Sequence, residues 1–159
     1  MLVIADSSPL NTLIEIAHVS ALATLFTRVV IPTQVAVELT HARAPTLVRE
    51  FIHQQPSWLE ILEPTQIEEI PELDLGERAA ISLAGELHPD FLLIDERLGR
   101  QRATARNIAV IGTIGVLERG ANAGPFDLEQ AFRSLKKTRF HVSDALLDHT
   151  LRRHKEQRS

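Results

Sequence analysis

Short, wholly apolar runs alternate along this chain with longer amphipathic stretches. Residues 2–5, 91–94 and 108–111 are apolar throughout, residues 28–31 are dominated by β-branched side chains and stop at Pro32, and residues 59–62 carry one acid among three apolar positions. Runs of about four such residues, bounded by turn formers, predict strands. Continuous apolar strands, rather than alternating ones, are expected of a parallel sheet buried on both faces by right-handed helical crossovers. The segment 59–62 is the candidate for a sheet edge.

The stretches between these strands read as helices. Ser8 and Pro9 suit a helix start, and a helix over 10–17 follows, with a shorter helical piece at 21–26. Thr33 can cap a helix whose Val35 and Leu39 lie one turn apart, and 46–55 is amphipathic up to Pro56. Residues 63–72 hold two prolines and little periodicity, which predicts a loop leading to a helix over 75–87 that His88-Pro89-Asp90 ends. An Arg-rich helix follows Asp95, residues 112–115 read as a turn, and helices are expected over 128–137 and 143–154. The chain therefore divides into an α/β domain of four to five parallel strands over residues 1–122 and a helical C-terminal extension, 123–159, packed on the same domain, with 120–125 as the hinge.

Composition narrows the chemistry. The 159 residues include 44% hydrophobic ones, ample for a single core, and the formal net charge is -4. The chain has no cysteine, which excludes disulfides, thiolate metal sites and a Cys nucleophile and fits a reducing cytoplasm. No run approaches the roughly 20 apolar residues of a membrane span, and Asp6 interrupts the apolar N-terminus at once, so a cytoplasmic protein without a targeting segment is expected. Charge is unevenly spread: seven acids and no Lys or Arg occupy 59–77, whereas Arg97, Arg100, Arg102 and Arg106 crowd one short stretch and a second basic bias marks the C-terminus. These runs are either solvated helix faces or a phosphate-facing side beside an acidic site.

Two apolar strands end in an aspartate, Asp6 and Asp95, and a parallel sheet brings such ends to one edge, where ligand sites of open α/β sheets lie. Each could instead cap the following helix. Like charges gathered without a cation raise each other's pKa and cost stability, and a metal resolves that repulsion. Glu77 either joins such a site or forms a capping box with Asp74. Glu38 lies on the flank of a buried helical stripe or is an ordinary surface acid. Asp95 is the expected ligand of the Asp95-Glu96 pair, with Glu96 in reserve. A set of carboxylates with no Cys and no paired His spacing suits Mg²⁺ or Mn²⁺, not zinc. Carboxylate-held divalent ions supply a deprotonated water and relief of negative charge, so such a site needs no side-chain nucleophile. Arg97 and Arg100 begin beside Asp95 and are candidates for meeting substrate phosphates. With six Phe, one Trp and no Tyr, stacking platforms for bases are scarce.

The order of these features resembles the acidic motifs of PIN-domain ribonucleases. The run D-S-S-P-L-N-T-L at 6–13, the block L-G-E-R-A-A-I-S-L-A at 75–84, the block L-L-I-D-E-R-L-G-R-Q-R-A at 92–103 and the turn V-I-G-T-I-G-V-L at 110–117 are similar to a prokaryotic subfamily close to the VapC toxins. The resemblance spans residue 2 to about 117. It implies a three-layer α/β/α sandwich, an Mg²⁺- or Mn²⁺-dependent endoribonuclease acting on RNA, inhibition of toxin members by a small antitoxin protein, and a homodimer. Carried over, Asp6 is the central metal ligand, Glu77 and Asp95 complete the pocket, Glu38 binds a second ion or orients water, and Ser8 holds the pocket by hydrogen bonding. The chain departs from the commonest pattern with Glu at 77 and with Thr113 where an acid or amide is expected. A non-catalytic RNA-binding or regulatory module, its acids serving as helix caps, is the alternative. A phosphoaspartyl enzyme lacks its Asp-x-Asp here, and no nucleotide-binding glycine loop follows the first strand.

Overall fold

The computed structural model describes residues 1–124 and 126–158. Strand β1 (Leu2–Ala5) leads through α1 (Ser7–Glu15) and α2 (Ser20–Leu25) to β2 (Arg28–Pro32), and α3 (Thr33–Leu39) and α4 (Thr46–Gln54) precede β3 (Leu59–Leu62). Helix α5 (Leu75–Leu87), β4 (Phe91–Leu93), α6 (Arg97–Ala105), β5 (Val110–Ile111) and α7 (Thr113–Ala123) follow, and α8 (Leu128–Lys136) and α9 (Asp144–Arg158) close the chain.

The strands form one five-stranded sheet in the order β3-β2-β1-β4-β5, parallel at every pairing. Alternate residues of each strand enter different layers, as the two-residue period of a strand requires. Val3, Ala5, Val29, Ile31 and Leu93 join one buried cluster with Leu10, Leu13, Val48 and Val116 of the helices, and Ile4, Val30, Leu92 and Ile94 join a second with Ile81, Ala84 and Ala103. The fold is thus a three-layer α/β/α sandwich, and β3 is an edge strand as expected. Leu128, Ala131, Phe132, Leu135 and Leu147 of α8 and α9 enter the first of these clusters. Among the described residues no helix is long and apolar enough to cross a membrane.

Three local readings change. Helix α1 begins at Ser7 rather than after Pro9 and ends near Ile16, because Ala17 takes a left-handed φ of 63° that no helix can carry onward. The expected turn at 112–115 is instead the start of α7, which runs to Ala123, so most of the expected hinge at 120–125 is helix end. Pro125 lies outside the described residues. Glycines at 115 and 120 weaken the helical signal, yet they serve packing: a Cβ at Gly120 would stand 3.0 Å from the Phe126 ring and 3.2 Å from Ala21 of α2. Finally, α9 extends past residue 154 to Arg158.

The loop over 63–72 is present, and its acids account for much of the charge pattern. Glu69 pairs with Arg78 at 2.9 Å, Glu68 with Arg106 at 2.7 Å and Glu72 with Arg102 at 3.8 Å. Two of the four arginines of the 97–106 stretch are therefore engaged by the acidic run.

Candidate functional site

The sheet order reverses between β2-β1 and β1-β4, so the C-terminal ends of β1 and β4 flank the switch point where open α/β sheets bind ligands. Asp6 follows β1 there, and Asp95 and Glu96 follow β4. The N-terminus of α5 brings Glu77 to the same edge, and α3, which starts directly after β2, brings Glu38.

Asp6 is 4% exposed. It stands at the N-cap position of α1, yet its side chain makes no capping hydrogen bond, and its buried Oδ1 has no hydrogen-bond partner among the described residues. Burial is the chief cause that lifts its pKa from 3.8 to about 7, with the charges of Glu77, Asp74 and Glu38 adding to it and a backbone bond from Ser7 opposing. A carboxylate placed where a cap belongs, and not used as one, is unexplained by local helix chemistry.

Glu77 forms the capping box that the sequence offered, and the box takes up only one of its two oxygens. With Asp74 it forms a complete capping box: Glu77 N–H donates to Asp74 Oδ1 at 2.8 Å and Asp74 N–H donates to Glu77 Oε1 at 3.2 Å. The other oxygen, Oε2, is buried without a hydrogen-bond partner among the described residues. The residue is 9% exposed, and burial raises its pKa to about 7. Two glycines make room for these acids. A Cβ at Gly99 would meet Glu77 Oε2 at 3.1 Å and Ile94 Cδ1 at 2.6 Å, and a Cβ at Gly76 would meet Glu38 Oε2 at 3.1 Å. Glu38 itself is exposed to solvent beside that glycine.

Asp95 is directed elsewhere. Its Oδ1 accepts the Thr113 N–H at 2.8 Å and its Oδ2 accepts the Thr113 hydroxyl at 2.5 Å, so it caps α7 from across the sheet edge instead of capping α6. Burial raises its pKa, while the Thr113 bonds and the nearby Arg100 pull it down. Glu96 takes the α6 cap, accepting the Gly99 N–H at 2.8 Å, and its charge is among those acting on Glu77. Thr113, noted in the sequence only as a departure from pattern, is fully buried and is the partner that orients Asp95.

The remaining candidates are dispersed. Ser8 is exposed on the wall of a groove and makes no side-chain hydrogen bond among the described residues. Arg100 donates to the Ile94 carbonyl at 3.1 Å, which holds it beside Asp95. Arg97 is exposed and lines a smaller hollow with Asp95 and Arg100. The groove, of about 1780 Å³, passes Ser8, Glu38, Asp95 and Glu96 and continues past α7 to the segment joining α8 to α9.

The arrangement thus gathers Asp6, Glu38, Glu77 and Asp74, with Glu96 facing Glu77 and Asp95 tied to Thr113. Among the described residues no three carboxylate or imidazole groups are closed about a single point. Asp6 and Glu77 each keep one buried oxygen without a partner among the described residues, and carboxylate oxygens are the donors that a hard divalent cation takes.

A family model described as a PIN domain (DUF3368) matches residues 2–156. No curated protein matches the chain. A solved structure of a PilT N-terminus domain protein from the hyperthermophilic archaeon Sulfolobus solfataricus is similar over 90% of this chain and 100% of that one, with a TM-score of 0.50 and 12% identity. At that identity the likeness is one of fold.

Proposed function

The chain belongs to the PIN-domain family, and from that premise we propose that it is an endoribonuclease that hydrolyses RNA phosphodiester bonds with Mg²⁺ or Mn²⁺. The observation that carries this reading is the pair of buried, unpartnered carboxylate oxygens, Asp6 Oδ1 and Glu77 Oε2, at the switch point of the sheet. Neither oxygen has a hydrogen-bond partner among the described residues, and a group buried in this way is retained at a cost that a bound cation removes.

Asp6 and Glu77 would hold the ion, with Asp95, Glu38 or Glu96 completing its shell. An ion so held activates water and offsets phosphate charge. The protein's own groups prepare the site. The capping box fixes the Glu77 carboxylate on one oxygen and leaves the other free. Thr113 locks the Asp95 carboxyl orientation, and Arg100, tied to the Ile94 carbonyl, keeps a guanidinium within reach of an approaching phosphate. Asp6 with a pKa near 7 is half-ionised around neutrality, so the site is expected to gain affinity for cations as pH rises through 7.

A second reading, a non-catalytic RNA-binding module, is favoured by the cap roles of Glu77, Asp95 and Glu96; Asp6, which caps nothing, stands against it. The finer reading, a cytoplasmic, homodimeric toxin restrained by a small antitoxin protein, rests on the motif resemblance, and a short neighbouring gene for a DNA-binding protein would support it. The deciding experiment is RNA cleavage by the parent and by Asp6→Asn in Mg²⁺, Mn²⁺ and EDTA. Metal-dependent cutting confined to the parent is the expected result, and no metal-dependent cutting by the parent would sink the proposal.

A further inference from the structure

Arg102 and Arg106 of the 97–106 stretch are paired to the acidic loop, but Arg100 is bonded to the end of the sheet. It is half-buried, its Nη1 donates to the Ile94 carbonyl at 3.1 Å, and no acid stands within ion-pair reach of it among the described residues. A second contact joins it to the turn between β5 and α7. Gly112, the N-cap of α7, lies under the guanidinium: a Cβ there would stand 2.8 Å from Arg100 Nη1 and 2.8 Å from Asp95 Oδ1. The φ of Gly112 is −106°, open to any side chain, so this close approach calls for the glycine and backbone conformation does not. The next residue, Thr113, gives Asp95 both its N–H and its hydroxyl. The turn carrying Asp95 and Glu96 is therefore tied to the turn carrying Gly112 and Thr113 by the Asp95 carboxylate on Thr113 and by the Arg100 guanidinium spanning Ile94 and Gly112.

A guanidinium is planar and weakly hydrated, so it can lie flat over bare backbone where an ammonium keeps its water. Groups standing behind the ligands of a metal fix how those ligands point, and their loss commonly lowers affinity by about ten- to a hundredfold. We propose that Arg100 is a positioning residue: lying over Gly112, it holds the Asp95 carboxylate on Thr113 and sets the β4–α6 turn, with Asp95 and Glu96, for a divalent cation. Gly112 is the second member of this brace, because only a bare backbone leaves room for both side chains. The inference rests on the cation reading above for its consequence and goes beyond it, since it gives Arg100 a task before any RNA arrives.

The test is amide hydrogen exchange followed by nuclear magnetic resonance on the full chain in EDTA, with Mn²⁺ titration calorimetry on the same proteins without RNA. In Arg100→Ala, and in Gly112→Ala where the arginine is retained, exchange of the Thr113 amide is expected to accelerate about tenfold, as for a weakened hydrogen bond to a charged group. Amides of the central strand β1 should keep the parent rate. The Mn²⁺ Kd is expected to rise about tenfold in both variants. Charge alone predicts the reverse for Arg100→Ala, since removing a cation beside the carboxylates would tighten Mn²⁺ binding. Unchanged Thr113 exchange in Arg100→Ala would overturn the brace, as would tighter or unaltered Mn²⁺ binding by that variant beside a parent that binds the ion. Equal acceleration of the β1 amides would also overturn it, by showing a general loosening of the fold. The outcomes are separable from the nuclease reading: Thr113 exchange that depends on Arg100 in a parent that binds no Mn²⁺ retains the brace and rejects the cation site. Mn²⁺-dependent cutting by a parent whose Thr113 exchange is indifferent to Arg100 does the reverse.

Discussion

Asp6→Asn tests the site through stability, without reference to any substrate. The folded protein holds Asp6 from 3.8 up to about 7, chiefly by burial. A carboxyl whose pKa is raised on folding binds protons more tightly in the native state, so stability is lost as pH rises from about 4 through 7. About three units at 1.36 kcal/mol each make the ionised residue a cost on the order of 4 kcal/mol above neutrality. Asparagine is neutral at every pH but buries an amide in the place of an oxygen that already lacks a partner, at about 1–3 kcal/mol. At pH 8 in EDTA the variant is therefore expected to be more stable than the parent by roughly 2 kcal/mol, or about 4–8 °C in Tm for a chain of this size. At pH 5, where the parent residue is protonated, the difference vanishes or reverses. Saturating Mn²⁺ at pH 8 should raise the parent by about 3 kcal/mol at 100 times its Kd and leave the variant unmoved. Thermal melts followed by circular dichroism at the two pH values measure all three effects. A variant that melts below the parent at pH 8 in EDTA would refute the reasoning, since it would mean that the ionised Asp6 is already satisfied within the protein.

Other expectations follow from the same geometry. Glu77→Gln keeps the acceptor of the capping box and should hold the parent's urea midpoint at pH 5, where the raised pKa keeps Glu77 protonated, while losing the Mn²⁺-induced rise in Tm at pH 8; Glu77→Ala should also lose about 1 kcal/mol of stability by urea titration at pH 5, the value of a helix cap. Thr113→Val removes the hydroxyl bonded to Asp95 inside the protein and should cost about 2 kcal/mol in the same titration, the usual loss for a hydrogen bond to a charged group. Gly99→Ala drives a methyl against Ile94 and Glu77 Oε2 and should cost about 1–3 kcal/mol and weaken Mn²⁺ binding by calorimetry. Arg106→Ala breaks an exposed pair with Glu68 and a bond to the Arg102 carbonyl, neither at the carboxylate site, and should leave RNA affinity within about twofold of the parent by fluorescence anisotropy.

Much of the fold was legible because apolar runs and helix punctuation act locally. The strands at 2–5 and 59–62, the loop at 63–72 and the stop at His88, which takes a left-handed φ of 51°, are set by residues within a few positions of them. Helix α7 was not legible, because its two glycines read as turn formers, and the close approach of Ala21, about a hundred residues away from Gly120, appears only in the folded layers. The site divides in the same way. Strand-end aspartates and the D-L-G-E spacing single out Asp6, Asp95 and Glu77 as acids of interest, and Asp74-Glu77 as a capping box, since these depend on period and spacing. Which oxygen of each acid is free, by contrast, depends on what stands across the sheet edge. Thr113, eighteen residues past Asp95, occupies both oxygens of that side chain. Gly99, on a different helix, opens the space beside Glu77, and among the described residues no donor reaches Asp6 Oδ1. The charge runs show the same limit, because their signs are visible in the sequence while their pairing is not. The sequence by itself determined the strands, most of the helices and the set of candidate acids. Only the tertiary structure decided which acids are satisfied, which arginines are free and where the groove runs, because those are facts of distance and burial between segments far apart along the chain.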